Sequence, residues 1–345
     1  MTEDPKRSYA QGRDVTVAVP DDDRLGALQK LPGRWINAKD GVATGFEGRG
    51  WNMIALPFES PGTKRDFRVL VNQYNETLEF LQIDGPVPNR GIDRQQNINT
   101  DQSLFALDYT QAIRQIAVAD FPATSDDIKG PEGGGIHHEP GFFLNILDHR
   151  TDDLDIARLA TIPHGDSVMA MGRSSEIAGP PSVPDTNALP IGATQDLTSG
   201  YLAPYANFSG TNAFKGKVTA PGFIGFDVAK PSDLLKDGIS KLNVKKTIEL
   251  KFDTTFSTGG IVNTPFVVKQ ANATEMRATF WIMELDEKDD HGNAKLALAY
   301  LQVVMLEFFP RFGNVPGLIQ WPHVSINTMV FDSLPKQMKT YMPAV

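Results

Sequence analysis

Six histidines are the residues of this chain best suited to chemistry near neutral pH, because an imidazole is both a proton shuttle and the commonest neutral metal ligand. Four of them stand in turn-like settings beside apolar runs: Ile136-His137-His138-Glu139-Pro140-Gly141, Ile162-Pro163-His164-Gly165 and Trp321-Pro322-His323-Val324. His323 has Trp321, Val324, Ile326 and Met329 around it in sequence. A neutral imidazole in so dry a neighbourhood suits the axial position of an iron porphyrin, so His323 is the candidate metal ligand. On a strand, His138 shares a face with Ile136 and points inward if Ile136 is core, which makes His138 and His164 the candidates for steering protons. His149 and His291 lie among Asp, Lys and Arg and read as solvated groups. The ordinary alternative for each is a strand-end histidine bonded to a backbone carbonyl.

Other chemistries fare less well. The chain has no cysteine, which removes disulfides, zinc–thiolate sites, iron–sulfur clusters and thiolate-ligated or covalent haem together. A cluster of His138, Glu139, His164 and His323 could bind non-haem iron or zinc for an oxygenase or isomerase, but it lacks a His-x-His pair and ranks below haem. No Gly-x-Ser-x-Gly elbow is present. The glycine-rich Gly45 to Gly50 run opens no helix and reads as the bulge of a first strand rather than a nucleotide loop. Net charge is 33 − 42 = −9 with no basic block, so nucleic acid is not an expected partner.

These residues need a scaffold, and the rhythm of the chain supplies one. Short apolar runs punctuated by Gly, Pro and Asn predict strands at residues 51–56, 67–72, 77–83, 142–146, 156–161 and 167–171. A second set falls at 247–252, 276–285, 296–308 and 324–331. Over Met276 to Glu284 the alternation is only partial, as in a strand buried on both faces. Residues 1 to about 25 read as a flexible arm, and 26–345 as one domain. Residues 173–246 are rich in Pro and Gly and read as an insertion, ending in one short helix near Pro231 capped by Ser232 or Asp233. The expected fold is mainly β: an antiparallel closed barrel with this insertion and few short helices.

The order of motifs resembles one family. Gly33-Arg34-Trp35, then Gly48-Arg49-Gly50-Trp51-Asn52, resembles the opening of the nitrobindin-like haem-binding β-barrels, relatives of the lipocalin and fatty-acid-binding folds. Ile136-His137-His138-Glu139-Pro140-Gly141 resembles a family strand, as does the run from Ile156 to Gly172, and Pro322-His323 resembles the segment bearing the axial histidine. The chain is about twice as long as such barrels, and a β-branched run follows His323. The resemblance implies haem b held by His323, ferric chemistry on small oxidants such as peroxynitrite or peroxide, and His138 or His164 near the other haem face. Arg34 and Arg158 are then candidates for the propionates.

Rival readings stay open. A haem-free barrel could carry an apolar small molecule, with Trp35, Trp51, Phe80, Phe142, Phe143, Phe280 and Trp281 as walls. Alternatively, a solid interior would leave function to the surface, as in a homo-oligomer. The charged amino terminus and the lack of a long apolar run imply a cytoplasmic protein outside the membrane.

Overall fold

The computed structural model describes residues 8–10, 13–17, 21–58, 66–93, 97–124, 129–146, 154–162, 165–218, 223, 225–256 and 258–334. Two short amino-terminal strands, β1 (Ser8–Ala10) and β2 (Arg13–Val17), precede a helical turn at Asp23–Leu28. Then come β3 (Gly33–Ile36), β4 (Gly50–Pro57), the long hairpin β5 (Phe67–Asp93) and β6 (Ile98–Phe121), β7 (Gly135–Ile146), β8 (Ile156–Ile162) and β9 (Asp166–Ala178). After a long connection bearing helices α1 (Ala203–Ala206) and α2 (Ser232–Ser240), the chain forms β10 (Val244–Asp253), β11 (Gly260–Asn263) and helix α3 (Pro265–Gln270). It ends in β12 (Asn272–Lys288), β13 (Ala294–Pro310) and β14 (Leu318–Ser333).

Strands β5 to β10, then β12, β13 and β14, pair antiparallel in that spatial order. Together β3 and β4 join β14 back to β5, which closes a barrel of 10 strands. Closure removes the open edges that a sheet of this size would otherwise expose. The mainly β, closed antiparallel barrel expected from the strand rhythm is therefore present, with few helices.

Alternation along each strand sorts the side chains into two cores. Inside the barrel, Leu78, Phe80, Leu107, Phe143, Leu250, Phe252, Phe280 and Leu298 pack together with Leu25, Leu28 and Leu31 from the amino-terminal turn. Those three leucines are fully buried and plug one end. Outside the barrel, Trp51, Met53, Trp281, Met283, Val324 and Ile326 form a second core with the long connection. Trp51 stacks on Phe223 and Phe226, 5.4 and 5.7 Å between ring centroids, and α2 contributes Leu234, Leu235 and Ile239.

This double burial explains why β12 does not alternate cleanly: Phe280 and Ile282 face inward while Trp281 and Met283 meet the connection. The connection spans 179–243 rather than 173–246, because Arg173 and Lys246 sit within β9 and β10. At the start of α2 neither expected cap forms; Ser232 Oγ instead accepts from Thr186 N at 3.0 Å. The bulge expected at Gly45 to Gly50 is displaced too. Gly45 and Gly48 lie in the turn before β4, and the register shift falls between Gln73 and Tyr74 of β5 and their β6 partners. Gly50 is required for another reason: a Cβ there would meet the Tyr74 ring at 2.4 Å.

Candidate functional site

Above the packed aromatic half, the barrel interior turns polar. Arg158 on β8 and Glu139 on β7 are both fully buried, and Arg158 Nη2 donates to Glu139 Oε1 at 2.6 Å. The same guanidinium donates through Nε to the Tyr109 hydroxyl at 3.1 Å and through Nη1 to Gln302 Oε1 at 2.7 Å. It also lies 5.3 Å above the Phe280 ring. Burial alone would raise the Glu139 carboxyl. The Arg158 charge and the hydrogen bonds from His137 and Tyr109 outweigh it and hold Glu139 far below the usual carboxylate range.

A second buried carboxyl behaves oppositely. Glu76 on β5 accepts from Asn327 Nδ2 (2.8 Å), Gln111 Nε2 (2.7 Å) and the Tyr300 hydroxyl (2.7 Å). Burial pushes its carboxyl up, opposed by those three hydrogen bonds and by His137. Tyr300 is 2.8 Å from the Tyr74 hydroxyl, which in turn reaches Ile326 O at 3.1 Å.

Beyond this belt the barrel is hollow. Two cavities of about 250 and about 230 Å³ share Ile54, Leu56, His137, Gln302 and His323 and so lie side by side as two lobes. The first lobe is amide-rich, lined by Asn52, Asn72, Gln111 and Gln115 with Tyr300 and Ser325. The second is apolar, lined by Ile162, Val168, Ile261, Val304 and Leu306, with Phe266 and Val267 of α3 over it. The His137 ring lies 3.1 Å from Glu139 Oε2, a carboxylate contact of the kind that orients an imidazole for proton transfer.

The predicted residues separate into three groups. His323 faces the cavity, together with His137, which sequence reasoning missed, and Arg158 is fully buried and paired with Glu139. Trp35 and Phe143 are inside but belong to the packed half: Trp35 Nε1 donates to Leu31 O, and Phe143 packs edge-on to Tyr109 and Phe80. The remainder lie outside. His138 is exposed, because the inward face of β7 carries His137 and Glu139. Trp51 and Trp281 pack against the connection, Trp281 Nε1 donating to Glu249 Oε2 at 2.9 Å. Phe142 is exposed, and Arg34 makes surface ion pairs with Glu79 and Asp332. His149 and His164 lie outside the described residues, and His291 sits in an exposed turn.

The four-residue metal cluster is not assembled, since His138 faces away and Glu139 is held by Arg158; among the described residues no three His, Asp or Glu side chains group as a metal site. Sequence reasoning missed Glu76, Tyr300, Gln111, Gln302 and Asp166. An inward-facing polar residue inside a strand was the available signal. Comparison of the chain with protein-family models, curated proteins and solved structures gives no match. The closed barrel is the architecture that the resemblance implies, but a barrel hosts many functions and does not by itself identify a haem protein. No helix among the described residues is long and apolar enough to cross a membrane.

Proposed function

We propose that the chain is a small-molecule-binding barrel whose ligand places an apolar body in the lobe under α3 and a polar end toward the His137–Gln302–His323 wall. One observation carries this reading: the interior is close-packed at the plugged end and hollow at the other, with the polar belt as the floor between them. Concave, mostly apolar space with a few converging polar groups is the usual form of such sites. Titration with a fluorescent apolar probe tests it. Saturable one-to-one binding, displaced by unlabelled hydrophobes, is expected; absence of binding contradicts it.

A second reading, haem, is favoured by the position of His323 on the wall common to both lobes. Haem is larger than either lobe and would span the two. His323 would hold the group, and His137, oriented by Glu139, would hold or move a proton beside it. When bound, haem supplies a redox-active iron for small oxidants. Arg34 and Arg158 would not serve the propionates; Lys129 is the cation on the amide-rich lining. Addition of ferric haem should give a Soret shift that His323→Ala changes. No shift in the wild type removes this reading and leaves the first intact.

A further inference from the structure

The wall between the two lobes carries a donor with a fixed direction. Gln302 on β13 lines both lobes, and its Oε1 accepts from Arg158 Nη1 at 2.7 Å. A guanidinium only donates, so this bond settles the amide orientation, with the oxygen toward Arg158 and the nitrogen away from it. Arg158 lines neither lobe, which leaves the Nε2 end of the side chain to face them. Among the described residues Gln302 Nε2 makes no hydrogen bond, and it is not sealed from solvent as Asn72 Oδ1 is.

The strand neighbours of this donor are polar and uncharged. Gln302 lies opposite Ser325 of β14, Ser325 opposite Asn52 of β4, and Asn52 opposite Asn72 of β5. Opposite residues share a face, so the four form one row across four strands, and all four line the amide-rich lobe. None of the five residues common to both lobes is lysine or arginine, and Lys129 lines the amide-rich lobe only. The Arg158 charge is already matched by Glu139. Beside the row, Ile162, Val168, Ile261, Val304 and Leu306 offer hydrocarbon.

We propose that the polar end of the ligand is an uncharged carbonyl oxygen, as in a ketone, ester or amide, which accepts from Gln302 Nε2 while the hydrocarbon body lies in the apolar lobe. This rests on the reading of the barrel as a small-molecule binder and names the head group at the wall where that reading puts the polar end. A carboxylate at Gln302 would be taken out of water without a guanidinium or ammonium of its own, beside Glu139 and Asp166, which line the apolar lobe. An ammonium would set its N–H groups against those of the amide.

The test uses the full chain and three competitors for the fluorescent apolar probe: hexyl methyl ketone, the alkene in which a methylene group replaces its carbonyl oxygen, and octanoate. Gln302→Glu, checked for an unchanged circular dichroism spectrum, keeps an acceptor for Arg158 and replaces the amide nitrogen by oxygen. It should weaken the ketone by about fivefold, the worth of one neutral hydrogen bond, and leave the alkene nearly unchanged. If the variant does not fold, wild type decides alone: the carbonyl infrared stretch of the bound ketone should lie below its position in hexane, and the ketone should displace the probe at lower concentration than octanoate. An unshifted stretch, octanoate as tight as the ketone, or a ketone no more weakened than the alkene overturns the proposal. Displacement by neither ketone nor alkene removes the cavity reading beneath it.

Discussion

The Tyr300 hydroxyl donates to Glu76 Oε2 at 2.7 Å and lies 2.8 Å from the Tyr74 hydroxyl. Burial raises the Glu76 carboxyl, whereas at Glu139 the Arg158 charge outweighs burial and holds the carboxyl low, so environment alone pushes the two buried carboxyls of the barrel in opposite directions.

Glu76→Gln removes the titrating carboxyl while keeping an uncharged side chain of the same size in its place. A group whose folded pKa is raised binds a proton in the folded state that the unfolded state has lost, so its contribution falls as pH rises above the ordinary glutamate range. Wild type should lose stability over that rise, and the variant should lose less. Chemical denaturation midpoints measured from acid to mildly alkaline pH check this.

Glu139 has the opposite sign. Its carboxyl is held low, so its contribution is full above the ordinary glutamate range and disappears as pH falls toward the depressed value. Breaking the pair by Arg158→Met strands a buried charge and should cost about 3–5 kcal/mol. Arg158→Met combined with Glu139→Met should cost less than Arg158→Met alone. Denaturant unfolding of the two variants decides it; a double variant weaker than the single would contradict the pairing.

The plug makes a prediction that a loose arm would not. Leu25 is fully buried against the barrel interior, so Leu25→Ala should cost about 2–5 kcal/mol in unfolding free energy. An arm without structural contacts would give almost no change.

Much of the barrel was legible because strand rhythm is local. Turn residues and apolar runs predict β5, β8, β10, β13 and β14 without knowledge of what they touch. Which face points inward is not local. Ile136 is a half-buried rim residue, so using it as the core marker put His138 inside, whereas the Glu139–Arg158 bond across β7 and β8 sets the true parity and brings in His137. For the same reason Trp51 and Trp281 read as cavity walls: nothing near them in sequence reveals that residues such as Phe223 and Phe226 return to cover the outside of the barrel. His323 needed no such knowledge, since its apolar neighbours alone marked it, and it faces the cavity.

The hollow end of the barrel is the claim on which the functional reading stands. Val304 lines the apolar lobe opposite His323 in the β13–β14 ladder. Val304→Trp would fill that space with an indole. Probe titration of this variant beside wild type, with matched circular dichroism, is the most direct measurement: wild type should bind one equivalent and the variant should bind at least tenfold more weakly. Equal binding by the two would place the probe elsewhere and contradict the account.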